Sequence, residues 1–578
     1  MKAGEIPRFN RDLFGSEEKF TRIGSGEIGG KAHGLAFIKQ SLADGLAPDR
    51  FAGIEVNIPT LTVIGTDTFD AFMEQNKLHD VACSGQSDER IAHAFQQAEF
   101  PAGDIGDLRG LIEKIHSPLA IRSSSLLEDA MFQPFAGVYG TKMIPNNQPS
   151  ADERFRRLIE AIKFVYASTY FKDARDYVRA TGKPGCEEKM AVILQEVVGR
   201  RHDDRYYPDI SGVARSHNFY PYGHAVPEEG VIVLALGLGK SIVDGGKAWN
   251  YCPRYPLVGP PYGSPSEILK QTQLEFWAVN MGRPPAYDPV REAEYLIQGT
   301  LSDAEMDCTL KHVASTYQPQ NDRIVLGVGV DGPRVLNFAP TLRLNELPLN
   351  DLLCEVMAIC EKETGKDVEI EFAVTIDPNS NPSVRFGFLQ VRPMVVSHEE
   401  VDVAEVDMDS PSVLIASERV MGNGAIDTIE DIVYVKPETF LPEHTRRVAA
   451  ELDMINRTLS EQGRRCLLIG FGRWGSSDPW LGIPVNWGQI SAAKVIVEAT
   501  LPEMNVELSQ GAHFFHNITS FQVCHLSVPH TGSHPIDWDW LARQAPVIDT
   551  AYVRHVRVKA PLKVRVDGKS GRGVINHE

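Results

Sequence analysis

The segment Val368-Glu369-Ile370-Glu371-Phe372-Ala373-Val374 alternates acidic and apolar residues, the period of a half-buried strand. In such a strand Glu369 and Glu371 stand on one face. Two carboxylates side by side repel each other unless a cation or a proton sits between them. The run Gly387-Phe388-Leu389-Gln390-Val391-Arg392-Pro393 reads as a second strand, with Gln390 and Arg392 on one face. If the two strands pair antiparallel, two carboxylates and an amide oxygen converge. That donor set suits Mg2+, which takes oxygen ligands and keeps positions for water and phosphate. The competing reading is a solvent-facing acidic edge with cross-strand Glu–Arg pairs.

The formal net charge is −19, which argues against nucleic acid as a partner, because phosphate backbones reward clustered Lys and Arg. An acidic protein that takes an anionic nucleotide must focus positive charge in a cleft. Three stretches have the composition for this. Pro118 to Lys142 opens as an apolar strand (Leu119, Ala120, Ile121) and then presents Arg122 with Ser123, Ser124 and Ser125. A guanidinium forks onto phosphate oxygens and hydroxyls add donors. The plainer alternative is a serine-rich surface turn. Ile28-Gly29-Gly30-Lys31 precedes a helical pattern at Leu35, Ile38 and Leu42, so Gly29 and Gly30 could let helix N–H groups meet an anion, with Lys31 as a point charge. It is not a Walker A loop, and a glycine turn capping a helix is the alternative. Val231 to Lys247 is a strand running into a glycine-rich turn with Gly237, Gly239, Lys240 and Lys247, the composition of a phosphate lid. Met190 to Val198 reads as a buried strand whose backbone can meet an adenine edge, or as a plain core strand.

At 578 residues the chain exceeds one core, and about three or four packed units are expected. No apolar run reaches membrane-span length and no apolar signal core opens the chain, so a cytoplasmic protein with no membrane contact is expected. The eight cysteines are scattered without a C-x-x-C pair and read as reduced thiols. Residues 54–63 read as two strands broken at Pro59, 151–180 as an amphipathic helix pair, and 199–209 as a solvated loop. Residues 262–320 read as helical, 323–341 as a strand hairpin and 349–363 as an amphipathic helix.

Taken together, these pieces resemble the N-terminal ATP-grasp domain of the phosphoenolpyruvate synthase and pyruvate phosphate dikinase family. The resemblance rests on Gly-Gly-Lys at 29–31, Ile-Arg-Ser-Ser at 121–124 with Glu128-Asp129 and Phe135-Ala136-Gly137, and Gly-Leu-Gly at 237–239 with Val243 and Gly245. It also rests on Glu-Ile-Glu-Phe at 369–372 and Leu-Gln-Val-Arg-Pro at 389–393, all in the family's order. It implies an α/β (α+β) fold, with a two-lobed ATP-grasp domain over 1–395. The lobes would be 1–118 with 260–345, and 119–259 with 346–395. A linker at 396–411 and a smaller mixed α/β module at 412–578 would follow. The resemblance implies ATP and Mg2+ as cofactors. Lys31, Arg122 and Ser123 would hold phosphates, Gln195, Glu196 and Val198 adenine, and Gly29, Gly30, Gly237, Gly239 and Lys240 the phosphate loops. Glu371 and Gln390 would hold Mg2+, with Glu369 on the ribose or the metal, and Arg392 would engage the phosphates in transfer. Lys240 departs from the family, whose synthases usually carry an acid after Gly-Leu-Gly.

Beyond residue 400 neither the family's phosphohistidine motif nor its pyruvate barrel is present, and the remaining residues are too few for such a barrel. Val413 to Val435 resembles the first strands of a swivelling domain, followed by a helix at 443–463. The patch Leu467 to Gln489, with Arg473, Trp474, Asp478 and Trp480, reads either as an acceptor pocket or as turn tryptophans anchoring a core. His513 and His516 are candidate phosphoryl acceptors, or hydrogen-bonded core histidines. The alternation of Val with Arg and Lys over 552–572 reads as edge strands. The expected activity is Mg2+-dependent phosphoryl transfer from ATP to a histidine or small-molecule acceptor at the C-terminal module, with a partner protein as a further possibility. A nucleotide-sensing regulator without turnover and an ATP-grasp ligase are the alternatives.

Overall fold

The computed structural model describes residues 6–12, 19–47, 50–51, 53–125, 137–180, 188–262, 264–344, 347–377, 379, 383–394, 396, 401–476, 480–502, 504, 518 and 521–577. The chain divides into two compact units. The first comprises Met1–Arg175, Pro184–Ser216 and Glu229–Met394, and the second Asp176–Lys183, His217–Glu228 and Val395–Glu578.

In the first unit, β1 (Phe20–Ile23), β3 (Leu61–Ile64), β6 (Met190–Glu196), β4 (Leu119–Ser125) and β5 (Thr141–Ile144) form one sheet in that order. A second sheet runs β11 (Trp249–Tyr251), β10 (Val231–Ala235), β9 (Ile210–Arg215), β17 (Val368–Ile376), β18 (Val384–Pro393) and β2 (Ile54–Asn57). Residues 119–125 share a sheet with 20–64: β6 is an apolar run, and β4 beside it is buried at every position but the half-buried Arg122, its three serines included. The common core takes Leu35 and Ile38 from the helix Gly29–Gly45, Leu352 and Val356 from the helix Leu349–Thr364, and Ile193 and Phe372 from the two sheets. Both helices carry apolar residues at the three-to-four spacing that makes one buried stripe.

Residues 262–320 are not mainly helical. They contribute β12 (Glu275–Asn280) and β13 (Leu296–Thr300), which join β8 (Arg205–Tyr207) and β7 (Arg200–His202) in a third sheet. The supposed solvated loop 199–209 is thus largely a hairpin, turned at Asp203 with φ 48°. β15 (Arg323–Leu326) and β16 (Arg334–Leu336) do not pair with each other. Each pairs with β14 (Ala314–Gln318), a strand too short and polar to stand out by pattern. The two helices expected over 151–180 are present as Ala151–Ser168 and Lys172–Ala180.

The second unit is built on β19 (Val413–Ser417), β29 (Arg572–Asn576), β28 (Val553–Asp567), β21 (Gly424–Val435), β22 (Cys466–Phe471), β25 (Ala493–Ala499), β26 (Cys524–Val528) and β20 (Val420–Met421) in that order. β27 (Pro546–Asp549) pairs alongside β28. β21, β22, β25 and β26 are mutually parallel, and the helix Thr445–Glu461 makes the first crossover. β23 (Arg473–Trp474) and β24 (Gly482–Ile483) form a separate small pair. The tail is not an edge. β28 is interior, and two of its arginines are paired, Arg557 with Asp431 and Arg554 with Asp549, both at 2.9 Å. The reduced-thiol reading also fails at one position, since Cys83 is disulfide-bonded; Cys252, Cys308, Cys354, Cys360, Cys466 and Cys524 are free. Among the described residues no helix is long and apolar enough to cross a membrane.

Candidate functional site

β17 and β18 pair antiparallel, with Glu369 opposite Arg392 and Glu371 opposite Gln390. On the other side β9 sets Arg215 opposite Glu369. The first rung across three strands is therefore Arg215–Glu369–Arg392. Arg215 Nε donates to Glu369 Oε2 at 2.5 Å and Arg392 Nε donates to Oε1 at 2.6 Å. Glu369 is 1% exposed. With an arginine on each oxygen it is a buried clamp for Arg392 rather than an open carboxylate. The solvent-facing acidic edge is overturned, although its Glu–Arg pairing is real.

Glu371, one rung on, is less enclosed, with its side chain 17% exposed. It meets Arg122 at 3.3 Å and Arg392 at 3.4 Å, both long for charge-assisted bonds. Gln390 is 2% exposed, and its Oε1 accepts from Arg122 at 2.7 Å. Glu371 and Gln390 thus place a carboxylate and an amide oxygen side by side, hard donors of the kind Mg2+ accepts. No cluster of three or more His, Cys, Asp or Glu stands among the described residues, so a cation held here would draw its other ligands from phosphate and water.

Arg122 is the junction of the two sheets. From β4 it donates to Gln195 Oε1 and to the Leu389 carbonyl, each at 3.2 Å, as well as to Gln390 and Glu371. Lys31 Nζ donates to Ser123 Oγ at 3.2 Å, and both residues are buried. The helix start behaves differently from the expected open anion nest. Ser124 Oγ accepts from the Ala32 N–H at 3.2 Å and donates to the Ile28 carbonyl at 2.8 Å, so a serine caps the helix. Gly29 has φ 75°, and a Cβ there would lie 1.7 Å from the Ser124 carbonyl oxygen. Gly29 is therefore required for helix and strand to touch, while Gly30 lies in the first turn.

Gly237, with φ 80°, is also sterically required, since a Cβ would meet the Trp277 carbonyl oxygen at 2.7 Å. Gly239 has room for a Cβ. Lys240 opens a one-turn helix, pairs with Asp244 at 2.9 Å and lies 5.8 Å from the Trp277 ring centroid. Ala120, Val197, Leu238, Val279 and Met281 form a small apolar cluster against which Met143 and Trp277 pack. It flanks the Arg122 set through Ala120, two residues earlier on the same strand. Sequence reading missed this cluster, and it missed Glu292. That carboxylate is exposed, and the bulk of protein around it together with Asp244 raises its pKa against the lowering effects of Lys240, the Thr141 N–H and Lys31. Its only sequence signal was an acid in the Arg-Glu-Ala-Glu run before β13. Of the expected adenine residues, Gln195 joins the Arg122 set. The Glu196 carboxylate instead accepts from Ser117 at 2.5 Å, and Val198 packs beside Gly387.

In the second unit Trp474 is a core anchor rather than a pocket wall. It is 2% exposed, and its indole N–H donates to the Val497 carbonyl at 3.2 Å. Trp480 is 74% exposed and Arg473 half-buried. Asp478, His513 and His516 lie outside the described residues, as do Glu128, Asp129, Phe135 and Ala136. A different histidine stands out. His525 is fully buried, with Nδ1 3.2 Å from the Tyr220 hydroxyl and Nε2 3.6 Å from Glu498, whose other oxygen accepts from the Trp474 N–H at 2.9 Å.

Residues 25–412, more than half of the chain, match the family described as pyruvate phosphate dikinase, AMP/ATP-binding domain. No curated protein matches the chain.

Proposed function

The chain belongs to the pyruvate phosphate dikinase AMP/ATP-binding domain family, and from that premise we propose that it is a Mg2+-dependent ATP phosphotransferase of the dikinase type. The observation that carries the reading is Arg122, a half-buried guanidinium gathered by Gln195, Gln390 and Glu371 at the junction of two sheets. A nucleotide polyphosphate seated there meets Arg122, Arg392 and Lys31, with Ser123 holding the lysine. The apolar cluster around Ala120, Leu238 and Met281 is the side on which a purine would pack, and Glu292 is an acceptor for a sugar hydroxyl. Glu371 and Gln390 would hold Mg2+, which when bound neutralises charge on the phosphate oxygens. The remaining work of the chain is positional, since phosphoryl transfer depends chiefly on alignment and charge neutralisation. Glu369 keeps Arg392 aimed at the group in transfer. The acceptor, a histidine or a small molecule, is assigned to the C-terminal module.

The test is incubation with Mg2+ and ATP labelled separately at the β and γ phosphates, followed by chromatography and intact mass. AMP with label on the protein or on a small acceptor is the expected result. ATP binding without turnover, even with cell-extract metabolites supplied, would replace the enzyme with a nucleotide-sensing regulator. ADP with an activated acyl acceptor would make it a ligase. Arg122→Met is expected to weaken ATP binding about tenfold or more, because a charge-assisted hydrogen bond is worth about 1.5–3 kcal/mol.

A further inference from the structure

A cavity of about 450 Å3 is lined by the end of β6 and the segment that follows it, including Glu196 and Val198, which the resemblance assigns to adenine. It shares only Val197 and Tyr206 with the apolar cluster of the nucleotide site and the residues packed on it, and none of Arg122, Glu371 or Gln390. Its position follows from the chain path. Residues 58–60 carry the chain from β2 of the second sheet to β3 of the first, and residues 197–199 carry it out of the first sheet after β6. Both crossings line the cavity. Thr60 and Ser117 face it from the side of the first sheet, Thr375 and Gly387 from the second.

The charged lining is balanced. Lys19, Arg200 and Arg385 stand against Glu55, Glu196 and Asp377. Glu196 accepts from Ser117 at 2.5 Å, Glu55 from Asn57 at 3.2 Å, and Arg200 donates to Asp209 at 3.5 Å, but the ion pairs among the six are loose. Lys19–Glu55 is 3.9 Å, Arg385–Glu55 3.7 Å and Arg200–Asp377 3.8 Å, all beyond hydrogen-bond distance. By contrast, the clamp on Glu369 closes at 2.5 and 2.6 Å. Loose, part-exposed pairs contribute little and are re-paired at little cost. A balanced set favours neither a net anion nor a net cation; it matches a ligand that carries both signs. The volume is within the range of small-molecule sites.

We propose that this cavity binds a small zwitterion, an α-amino acid or a compound of the same carboxylate-and-ammonium chemistry, and that its occupancy alters nucleotide affinity. A ligand there touches both sheets at the two chain crossings, and so has different contacts when the sheets are spread or drawn together. A ligand shifts such an equilibrium only by its difference in affinity for the two arrangements. The binding half stands without the nucleotide reading, and the coupling half rests on it.

The experiment is thermal unfolding of the full chain with each proteinogenic L-amino acid, tested singly without nucleotide, beside acetate and methylammonium as half-ligands. At least one amino acid is expected to raise the melting temperature, by linkage to the folded state, while the half-ligands do not. Glu55→Gln and Arg385→Gln, both at exposed or half-exposed side chains, should melt as the unaltered chain does without ligand and lose the ligand-induced rise. No rise with any amino acid, or an equal rise in both variants, overturns the site. Calorimetry of ATP binding with the active amino acid present should then show a change in Kd of about fivefold or more. An unchanged Kd overturns the coupling and leaves a binding site alone, whereas failure of ATP to bind under any condition refutes the nucleotide reading.

Discussion

Glu369 and Glu371 stand two residues apart on one strand face, yet their surroundings predict opposite consequences when each is replaced by glutamine. Glu369 is 1% exposed and closes two short bonds to Arg215 and Arg392. In Glu369→Gln an amide NH2 must face one of the two guanidinium groups, so a buried donor meets a donor and two cations lose their counter-charge. Breaking a buried pair from one side costs about 3–5 kcal/mol. Glu371 is partly exposed, and its arginine contacts are 3.3 and 3.4 Å. Its replacement removes interactions worth about 1 kcal/mol or less. Urea unfolding should therefore show a large loss for Glu369→Gln and a small one for Glu371→Gln. Calorimetry with ATP should give the reverse order in its Mg2+ dependence, lost in Glu371→Gln and retained in Glu369→Gln at a temperature where that variant is folded. If Glu369→Gln is as stable as the unaltered chain, the clamp is refuted. If Glu371→Gln keeps its Mg2+ dependence, Glu371 leaves the metal site.

Three further outcomes follow from single residues. Gly29→Ala forces a side chain at positive φ onto the Ser124 carbonyl, so it should lower stability and ATP affinity together, as read by unfolding and calorimetry. Asp431 is pushed up by burial but held down more strongly by hydrogen bonds from His555, Arg557 and Arg464, to about 2. The stability this supplies is present above the ordinary carboxylate pKa and lost as pH falls toward about 2, so Asp431→Asn should flatten the acid limb of a stability–pH curve in that window. Asp209 is raised to about 6, chiefly by burial, against the Ile376 N–H and Arg200. Its folded state prefers the proton, so stability is full below the unfolded value near 3.8 and falls as pH rises through about 6. From the shift that loss is about 3 kcal/mol at neutral pH. Asp209→Asn should therefore gain about 2 kcal/mol at pH 8 after the Arg200 contact is lost, and gain nothing near pH 4; a gain independent of pH would refute it.

Strand pairing at the site was legible because a period of two fixes which residues share a face, and two such runs close in sequence readily pair. The partner of Glu369 was not. Arg215 lies 154 positions away, on a strand whose pattern announces only that it is buried. The same limit explains β14, β12 and β13, which are short, partly polar and defined by neighbours from distant segments. Glu292 carries no motif, and only the fold brings it near Lys240 and the Thr141 N–H. The glycines were legible as necessary but not in their purpose. Gly29 reads as an anion nest or as a turn capping a helix, and only the fold shows that it also lets the helix touch the strand, where Ser124 takes the Ala32 N–H. In the second unit, alternation in the tail fixed a strand but could not tell an edge from an interior position, which depends on β21 and β29 arriving on either side.

The charge requirement read from composition is met by this uneven treatment of two carboxylates. Around the Arg122 junction, Arg122, Arg215, Arg392 and Lys31 stand against Glu369 and Glu371, so the site is locally cationic within a chain of formal charge −19. Glu369 holds its two arginines at short distance and fixes Arg392 in place. Glu371 makes longer contacts, and those are the ones with which an incoming phosphate oxygen competes. A phosphate drawn to Arg122 and Arg392 would relax their hold on Glu371, whose carboxylate would then stand beside Gln390 with negative charge to share with a cation. Nucleotide and Mg2+ should accordingly bind with mutual support. Each should raise the affinity for the other by the same factor, since linkage is reciprocal. Removing Glu371 should abolish that reciprocity and leave the arginine contacts to the phosphates in place.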